Sequence, residues 1–370
     1  MNDPAFQQDC AAILAMKAAQ EGPGRRGLLR GLAGLGAAGL SLGAAGMATA
    51  QAREVVLADW GGDGSAAFRK AFGEPFQRST GLRFGQDGSG PSPGRIRSMV
   101  QSGKVIWDVM DTAVGAGHFL GADGLLEEID WSIVDRSLDM PGLGHRYAAG
   151  AYTFSVVLAW DTRAFGGRSP TGWADFWNLR DFPGPRMLRR DPQGVLEAAL
   201  MADGVPPDQL YPLDVERAFR KVREIRPRAV FWGSGSDSQQ IMRQGDAVMG
   251  LLWNTRAMLL QRDTQDRIRF TWNQGILQPS VWTVPKGNPA GKDAMRLIRS
   301  MQEPAGQVEL LRLLGNGPVN PAAAAMVPPE LKPLNPTDPE NARVQIPYGV
   351  DWYVKNYQDV LARYVDMVTG

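Results

Sequence analysis

The chain has 370 residues, of which 44% are apolar, so it can bury a sizeable core and is long enough for two domains of ordinary size. Its 40 basic and 39 acidic residues are scattered along the sequence, which argues against the concentrated basic surface of a nucleic-acid-binding protein. Cys10 is the only cysteine, so we expect the fold to depend on its core and not on disulfides.

The first 52 residues have the pattern of an export signal. The pair Arg25 and Arg26 precedes a weakly apolar stretch of Gly, Ala and Leu, which ends in small residues at A-x-A spacing. This order resembles a twin-arginine signal and predicts cleavage after Ala50 or Ala52. The alternative is a transmembrane anchor, because residues 31–52 carry no charge, but their Gly and Ala content makes a poor membrane span. We therefore expect a periplasmic protein from which the signal has been removed.

Beyond the signal, short β-rich runs alternate with helical patterns. The runs at 53–62 and 105–115 predict strands. The spacing of four between Phe68, Phe72 and Phe76 predicts a helix with one buried face. Later helices are predicted at 214–227, at 292–301 and from about Gly349 onward, with a proline-rich surface segment at 318–347.

Two long β-like stretches, at 150–161 and 276–285, divide the chain into parts in which strands and helices alternate. Such alternation predicts parallel sheets covered by helices. We therefore predict an α/β fold of two lobes, joined by two crossing segments, with a ligand cleft between the lobes. The predicted lobes are residues 53–160 with 279–320 and residues 161–278 with 321–370.

Three matches to functional motifs fail on physical grounds. The G-x-G-x-x-G at 34–39 lies inside the export signal and follows no strand, so it is not a nucleotide site. The G-x-S-x-G at 90–94 has Pro93 where a hydrolase needs a backbone N–H for its oxyanion hole. His118 and His145 are far apart in the sequence and have no metal-ligand spacing, so each is expected to be structural or exposed.

Four tryptophans lie at or near the ends of predicted strands, where α/β proteins bind their ligands. Trp253 is the clearest case, because it ends the apolar run 248–252 and is followed by polar residues. A single such ring is most often part of a core, whereas several together favour a cleft for flat organic groups or cations. The other three are Trp60, Trp232 and Trp282.

Polar residues follow two of these tryptophans. The segment 233–240, which includes Ser234, precedes a predicted short helix, and its hydroxyl and N–H groups suit an anion. The alternative is ordinary N-capping by Ser236 or Asp237. Arg256 either faces a ligand carboxylate or pairs with an acid on the surface, and surface pairing is the favoured expectation.

Along the whole length beyond residue 52, the chain resembles the solute-binding proteins of ABC importers, in the branch that includes the spermidine/putrescine-binding proteins. The resemblance implies two α/β lobes that close over a ligand and a loaded form that docks on a membrane permease. The segments that carry it, in chain order, are LADWGG, WDVMDTAVGAG, GLLEEID, YTFSVVLAWDT, RRDPQGVLEAALMADG, GDAVMGLLWNTRAM, GILQPSVWTVPKGNPAGKDAM and NGPVNP.

The resemblance also implies roles for individual residues. Trp60 matches an aromatic residue of the first lobe's pocket wall, and Trp253 matches one in the second lobe. Asp191 matches a carboxylate that meets an ammonium group in polyamine binders.

Several positions depart from the polyamine-binding pattern. A second family carboxylate falls at Gly194, and the acidic position that binds the other amine falls at Ser280. A serine and a tyrosine of the first lobe fall at Ala113 and Gly115, for which Asp111 would have to compensate.

The export signal and the family resemblance together imply a periplasmic, non-catalytic protein that captures a small polar organic solute for an inner-membrane ABC permease. Polyamine is the favoured solute, and the alternative is a zwitterion, carboxylate or quaternary amine held by Arg256 and residues 234–238. An exported hydrolase is the alternative of another class, and it lacks a convincing nucleophile and base. We expect a monomer without cofactor, metal or nucleic-acid partner.

Overall fold

The computed structural model describes residues 54–140 and 142–370. The predicted export signal and both cleavage positions lie outside these residues. Within them, no helix has both the length and the apolar character needed to pass through a lipid bilayer.

The described strands join into one mixed sheet in the order β2-β1-β3-β8-β4-β7-β5-β6, with β9 beside β8. The two ends of the sheet are parallel: β1 pairs with β2 and β3, and β5 pairs with β6 and β7. The strands are β1 (Glu54–Ala58), β2 (Arg83–Asp87), β3 (Val109–Ala113), β4 (Ala149–Asp161), β5 (Arg186–Arg189), β6 (Ala229–Trp232), β7 (Met249–Trp253), β8 (Ile268–Thr283) and β9 (Ile346–Pro347).

The long antiparallel pair β4 and β8 connects the two parallel groups. The C-terminal part of β8 pairs with β3, whereas the C-terminal part of β4 pairs with β7. The predicted pair of crossing segments is therefore present. β8 begins earlier than predicted, because its pairing with β4 extends back to Ile268, opposite Asp161. The exact division of the chain into lobes stays a prediction.

Helices follow most of these strands and cover the sheet. The helices are α1 (Asp63–Phe68), α2 (Glu74–Thr80), α3 (Pro93–Ser102), α4 (Val114–Ala122), α5 (Trp173–Trp177), α6 (Val195–Ala202), α7 (Val215–Ile225), α8 (Gly235–Gln244), α9 (Asn254–Asp263), α10 (Lys292–Met301), α11 (Pro304–Leu314), α12 (Pro321–Ala325), α13 (Pro339–Ala342) and α14 (Val350–Thr369).

Local sequence explains where several helices form. The helix expected from Phe68, Phe72 and Phe76 is present, with all three rings buried, although a π-helical turn joins α1 to α2. α7 starts where the Asp214 carboxylate accepts a hydrogen bond of 3.0 Å from the backbone N–H of Arg217, which satisfies one of the free donors at a helix start.

Each parallel group of strands has its own apolar core. The β1 group packs against α1, α2 and α10, with Phe72 and Trp282 among its buried residues. The β5 group packs against α6, α7 and the C-terminal helix α14, with Trp232 and Tyr353 among its buried residues. Two cores on one connected sheet agree with a two-lobed α/β architecture.

The proline-rich segment 318–347, predicted to lie on the surface, is only partly exposed. It contains the short helices α12 and α13, a 3-10 helix at Pro329–Leu334, and β9. Leu331 and Ile346 are buried, so this segment contributes apolar side chains to the interior as well as covering it.

Candidate ligand-binding site

A cavity of about 60 Å³ lies beside the ends of three strands. Trp60 follows β1, Ala113 ends β3 and Trp253 ends β7, and all three residues line it. Phe68 from α1 and Phe154 from β4 add apolar surface. The cavity therefore lies where the strand-end argument predicts a ligand cleft, with two of the four predicted tryptophans, Trp60 and Trp253, in its lining.

The Arg256 guanidinium is the most unusual group in the cavity wall. Only 3% of the residue is exposed, and its Nη2 donates a hydrogen bond of 3.3 Å to the Gly61 carbonyl oxygen. Its Nε and Nη1 are buried without a hydrogen-bond partner in the part of the chain that the structure describes. Burial lowers the pKa of Arg256, although nearby acidic groups, Asp63 first among them, oppose this change. A buried cation with free donors creates a strong demand for an anion.

The start of α9 adds further donors at the same place. Arg256 lies in the first turn of this helix, together with the cavity-lining Thr255. The N-terminal residue before the helix is Trp253, whose side chain cannot cap it. Because backbone N–H groups in a first helical turn have no acceptor within the helix, they reinforce the positive potential around the guanidinium.

Asp111 supplies the carboxyl group of the cavity lining. It is 1% exposed and accepts hydrogen bonds from the Tyr152 hydroxyl at 2.5 Å and the Ser280 hydroxyl at 2.6 Å. Burial raises the pKa of Asp111 to about 7, against the effect of these two donors, and the nearby carboxylate of Asp59 adds to the increase. An ammonium group in the cavity would favour the ionised form of Asp111.

A second guanidinium in the lining, that of Arg189, is already partnered. It lies 5.0 Å from the centre of the Trp253 ring and 5.6 Å from that of Trp232. Its Nη1 is also 3.6 Å from a carboxylate oxygen of Asp191. Among the described residues, the lining contains one carboxyl group, that of Asp111, and two guanidinium groups, so it carries more positive than negative charge.

Five of the residues predicted from the sequence meet in this cavity: Trp60, Asp111, Trp253, Arg256 and Ser280. The expectation of surface pairing for Arg256 is wrong, because the start of α9 is covered by the segment after β1 and the guanidinium is buried beneath it. The alternative expectation, that Arg256 faces a ligand, agrees with its position.

Three predicted residues lie elsewhere. Asp191 is not in the cavity lining, and its carboxylate accepts hydrogen bonds from the Tyr357 hydroxyl at 2.6 Å and the Gln193 N–H at 2.9 Å. The Ser234 hydroxyl caps α8 by accepting from the Asp237 N–H at 3.1 Å. Trp282 is fully buried behind the lining, in edge contact with the rings of Phe68, Phe72 and Tyr152.

The structure also places residues in the cavity that the sequence did not indicate. Tyr152 and Phe154 lie inside the predicted β4, where alternate side chains face opposite sides of the sheet. Their spacing of two residues predicts a shared face, but the sequence alone does not show which face meets a ligand. Gln193 and Asn316 belong to loops that no strand-end argument would select.

His118 and His145 are in contact, which their separation in the sequence does not suggest. Their rings stack with centroids 3.9 Å apart, and His145 Nδ1 accepts a hydrogen bond of 3.3 Å from the Tyr147 N–H. Burial lowers the pKa of His145 to about 4. Among the described residues, no cluster of three or more His, Cys, Asp or Glu suited to a metal ion is present.

A family model described as bacterial extracellular solute-binding protein matches residues 67–340. The chain belongs to this family. It is the substrate-binding component of an ABC transporter for a small solute and works with a membrane permease; it is not an enzyme, so the hydrolase alternative is wrong. The family resemblance inferred from the sequence segments is confirmed.

Individual relatives differ in the ligands named for them. The chain is 32% identical over 337 residues to the gamma-aminobutyric acid-binding protein of Pseudomonas aeruginosa, covering 88% of this chain and 93% of that protein. It is 22% identical over 221 residues to spermidine/putrescine-binding periplasmic protein 1 of Haemophilus influenzae, covering 57% and 61%. The solved structure of the binding protein AgtB of A. tumefaciens R10 in complex with agropinic acid has a TM-score of 0.81 and 29% identity, covering 86% of this chain and 99% of that one.

Proposed function

We propose that the solute is a small zwitterion with a carboxylate at one end and an ammonium group at the other, of the 4-aminobutanoate class. The observation that supports this most directly is the buried Arg256 at the start of α9, whose Nε and Nη1 have no partner among the described residues. A carboxylate would accept hydrogen bonds from these donors, and charge-assisted bonds of this kind are among the stronger ones in proteins.

The other end of the ligand would meet Asp111 and the aromatic rings. The ammonium group would be balanced by the Asp111 carboxylate and attracted to the faces of Trp60 and Trp253, which line the same cavity. One relative, a gamma-aminobutyric acid-binding protein, fits this class of ligand, and the complex of AgtB with agropinic acid agrees with an acidic ligand.

A diamine fits the charges of the cavity poorly. Its two cations would face the carboxyl group of Asp111 and the guanidinium groups of Arg189 and Arg256. A buried charge without a partner costs several kcal/mol, so one end of a diamine would be strongly disfavoured. We therefore favour a zwitterion as the solute. The sequence alone favours polyamine.

The test is a calorimetric titration of the purified protein with 4-aminobutanoate and, separately, with putrescine. The two molecules share an ammonium group and a short methylene chain, and they differ in whether the far end is an anion or a cation. The proposal predicts tighter binding of 4-aminobutanoate by at least about tenfold, which corresponds to roughly 1.4 kcal/mol. Equal or tighter binding of putrescine would contradict it.

A further inference from the structure

Two glycines contact the Arg256 guanidinium from different elements. Gly235 is the first residue of α8, and a Cβ atom built on it would lie 2.3 Å from Arg256 Nε and 2.9 Å from Cζ. Gly64 is in α1, and a Cβ atom there would lie 3.0 Å from Nη2. The guanidinium therefore occupies a notch that exists because neither residue has a side chain.

Helix formation does not explain the glycine at position 235. Its φ angle is outside the left-handed region that favours glycine, and alanine is a better helix former at an ordinary helical position. The residue that caps this helix is Ser234, so Gly235 is not needed for capping either. What the missing Cβ provides is room for the guanidinium.

A side chain at position 235 would move the guanidinium and not the backbone. The atoms that its Cβ would meet belong to the far end of a long, flexible side chain, which can rotate away at small cost to folding. Arg256 lines the cavity, so rotation would move its guanidinium, with Nε and Nη1, away from its present position. The effect would then fall on ligand binding, because the donors would no longer meet the carboxylate.

We propose that Gly235, assisted by Gly64, is a positioning residue that sets the location of the Arg256 guanidinium and thereby the selectivity for a carboxylate-bearing ligand. The inference rests on the proposed role of Arg256 as the carboxylate partner. Gly235 is not among the charged and aromatic residues that line the cavity, but in this account it takes part in selecting the ligand.

Gly235→Ala tests the inference, with Gly233→Ala as the matched control. Position 233 lies in the loop just before α8, has an ordinary φ angle, and a Cβ there would meet no heavy atom within 4 Å. Calorimetry with 4-aminobutanoate should show an affinity lower by about tenfold or more for Gly235→Ala, as expected for a displaced hydrogen bond to a charged group, and no change for Gly233→Ala. The unfolding midpoint of ligand-free Gly235→Ala should be equal to that of the wild type or higher.

A crystal structure of ligand-free Gly235→Ala supplies the second measurement, and it should show the guanidinium displaced from its present position. Wild-type affinity in Gly235→Ala would overturn the inference, as would a lowered unfolding midpoint with the guanidinium in place. If the wild type fails to bind 4-aminobutanoate, the proposed function is wrong, and the position of the guanidinium in the variant then decides the positioning role by itself.

Discussion

The ring of Trp60 lies edge-on to the ring of Trp253, with centroids 6.3 Å apart and an angle of 64° between their planes. Trp60 follows β1 and Trp253 ends β7, two strands that belong to different parallel groups of the sheet. The Trp60 Nε1–H donates to the Asp111 carbonyl oxygen at 3.1 Å, which fixes the orientation of its ring. The pair of Trp60 and Trp253 thus combines residues from both groups of strands, and it forms only when the two groups lie close together.

Replacing Trp253 should affect both binding and folding. Trp253 is 8% exposed and its ring packs against Trp232 and Phe154, so Trp253→Ala removes core packing and should lower the free energy of unfolding by about 3 to 5 kcal/mol. It should also weaken ligand binding by about 1 to 3 kcal/mol, since it removes an aromatic anchor. Chemical denaturation and calorimetry measure the two effects, with Trp253→Phe as the variant that keeps an aromatic ring. Normal stability together with normal affinity in Trp253→Ala would rule out both roles.

Removing the charge at position 256 should separate binding from folding more cleanly. Arg256→Met should weaken the binding of 4-aminobutanoate by about 2 to 5 kcal/mol, the range for breaking a buried charge pair. The ligand-free protein should keep or increase its stability, because the variant loses a buried cation two of whose donors have no partner within residues 54–140 and 142–370.

Arg262 on the same helix is the control for this experiment. It is exposed and pairs with Asp263 at 2.9 Å, so Arg262→Met should leave the affinity unchanged. If Arg256→Met bound 4-aminobutanoate as well as Arg262→Met does, the guanidinium would not be the partner of the carboxylate.

The affinity for a zwitterion should depend on pH through Asp111. Burial raises its pKa to about 7, so its carboxyl group is mostly protonated at pH 6 and mostly ionised at pH 8, while the ligand's ammonium stays charged with a pKa of about 10. Binding should therefore tighten by about tenfold from pH 6 to pH 8, and this dependence should disappear in Asp111→Asn. If the affinity of the wild type did not change between pH 6 and pH 8, this would contradict the pairing of Asp111 with the ammonium group.

The same pKa predicts an effect on the ligand-free protein. Because the folded pKa lies above the unfolded value of 3.8, the stability associated with the protonated Asp111 is fully present below pH 4 and is lost as the pH rises through 7. Asp111→Asn removes this loss, so its unfolding midpoint relative to the wild type should be higher at pH 8 than at pH 5. If the difference in unfolding midpoint between Asp111→Asn and the wild type did not change with pH, this would argue against a raised pKa of Asp111.

Much of the fold follows from patterns in the sequence. The alternation of strands and helices and the two long β-like stretches predict the two parallel groups and their connection by β4 and β8. Trp253, which ends the apolar run 248–252, predicts where the candidate site lies, because side chains at strand ends face the cleft in α/β proteins. These rules depend on local sequence and on periodicity, which the chain displays directly.

The partners of the charged side chains could not be predicted from the sequence. Arg256 was expected on the surface because most arginines are exposed, and its burial follows from the segment after β1, whose Gly61 accepts from it. Asp191 matches a ligand carboxylate by position, yet the Tyr357 hydroxyl from the C-terminal helix α14 donates to it here. Such contacts join residues from distant parts of the chain, which a single sequence does not reveal.

Closure of the two lobes should be visible in solution. Near the cavity, the Gln239 side-chain amide of α8 donates a hydrogen bond of 3.1 Å to the Asp63 carboxylate of α1, so it connects the two groups of strands. Ligand binding should shift the population toward the closed form and lower the radius of gyration measured by X-ray scattering. Gln239→Ala removes this link and should require more ligand for the same decrease. Identical scattering curves with and without saturating ligand would count against closure.

The identity of the solute is the central claim, and native mass spectrometry of protein purified from its own periplasm tests it most directly. A gentle purification should retain the natural ligand, whose mass is read as the difference between the loaded and the empty protein. The proposed function predicts the mass of a small compound with one amine and one carboxylate, which Arg256→Met protein should not retain. A co-purified diamine or polyamine would contradict the assignment of Arg256 as a carboxylate partner and would restore the solute that the sequence alone favoured.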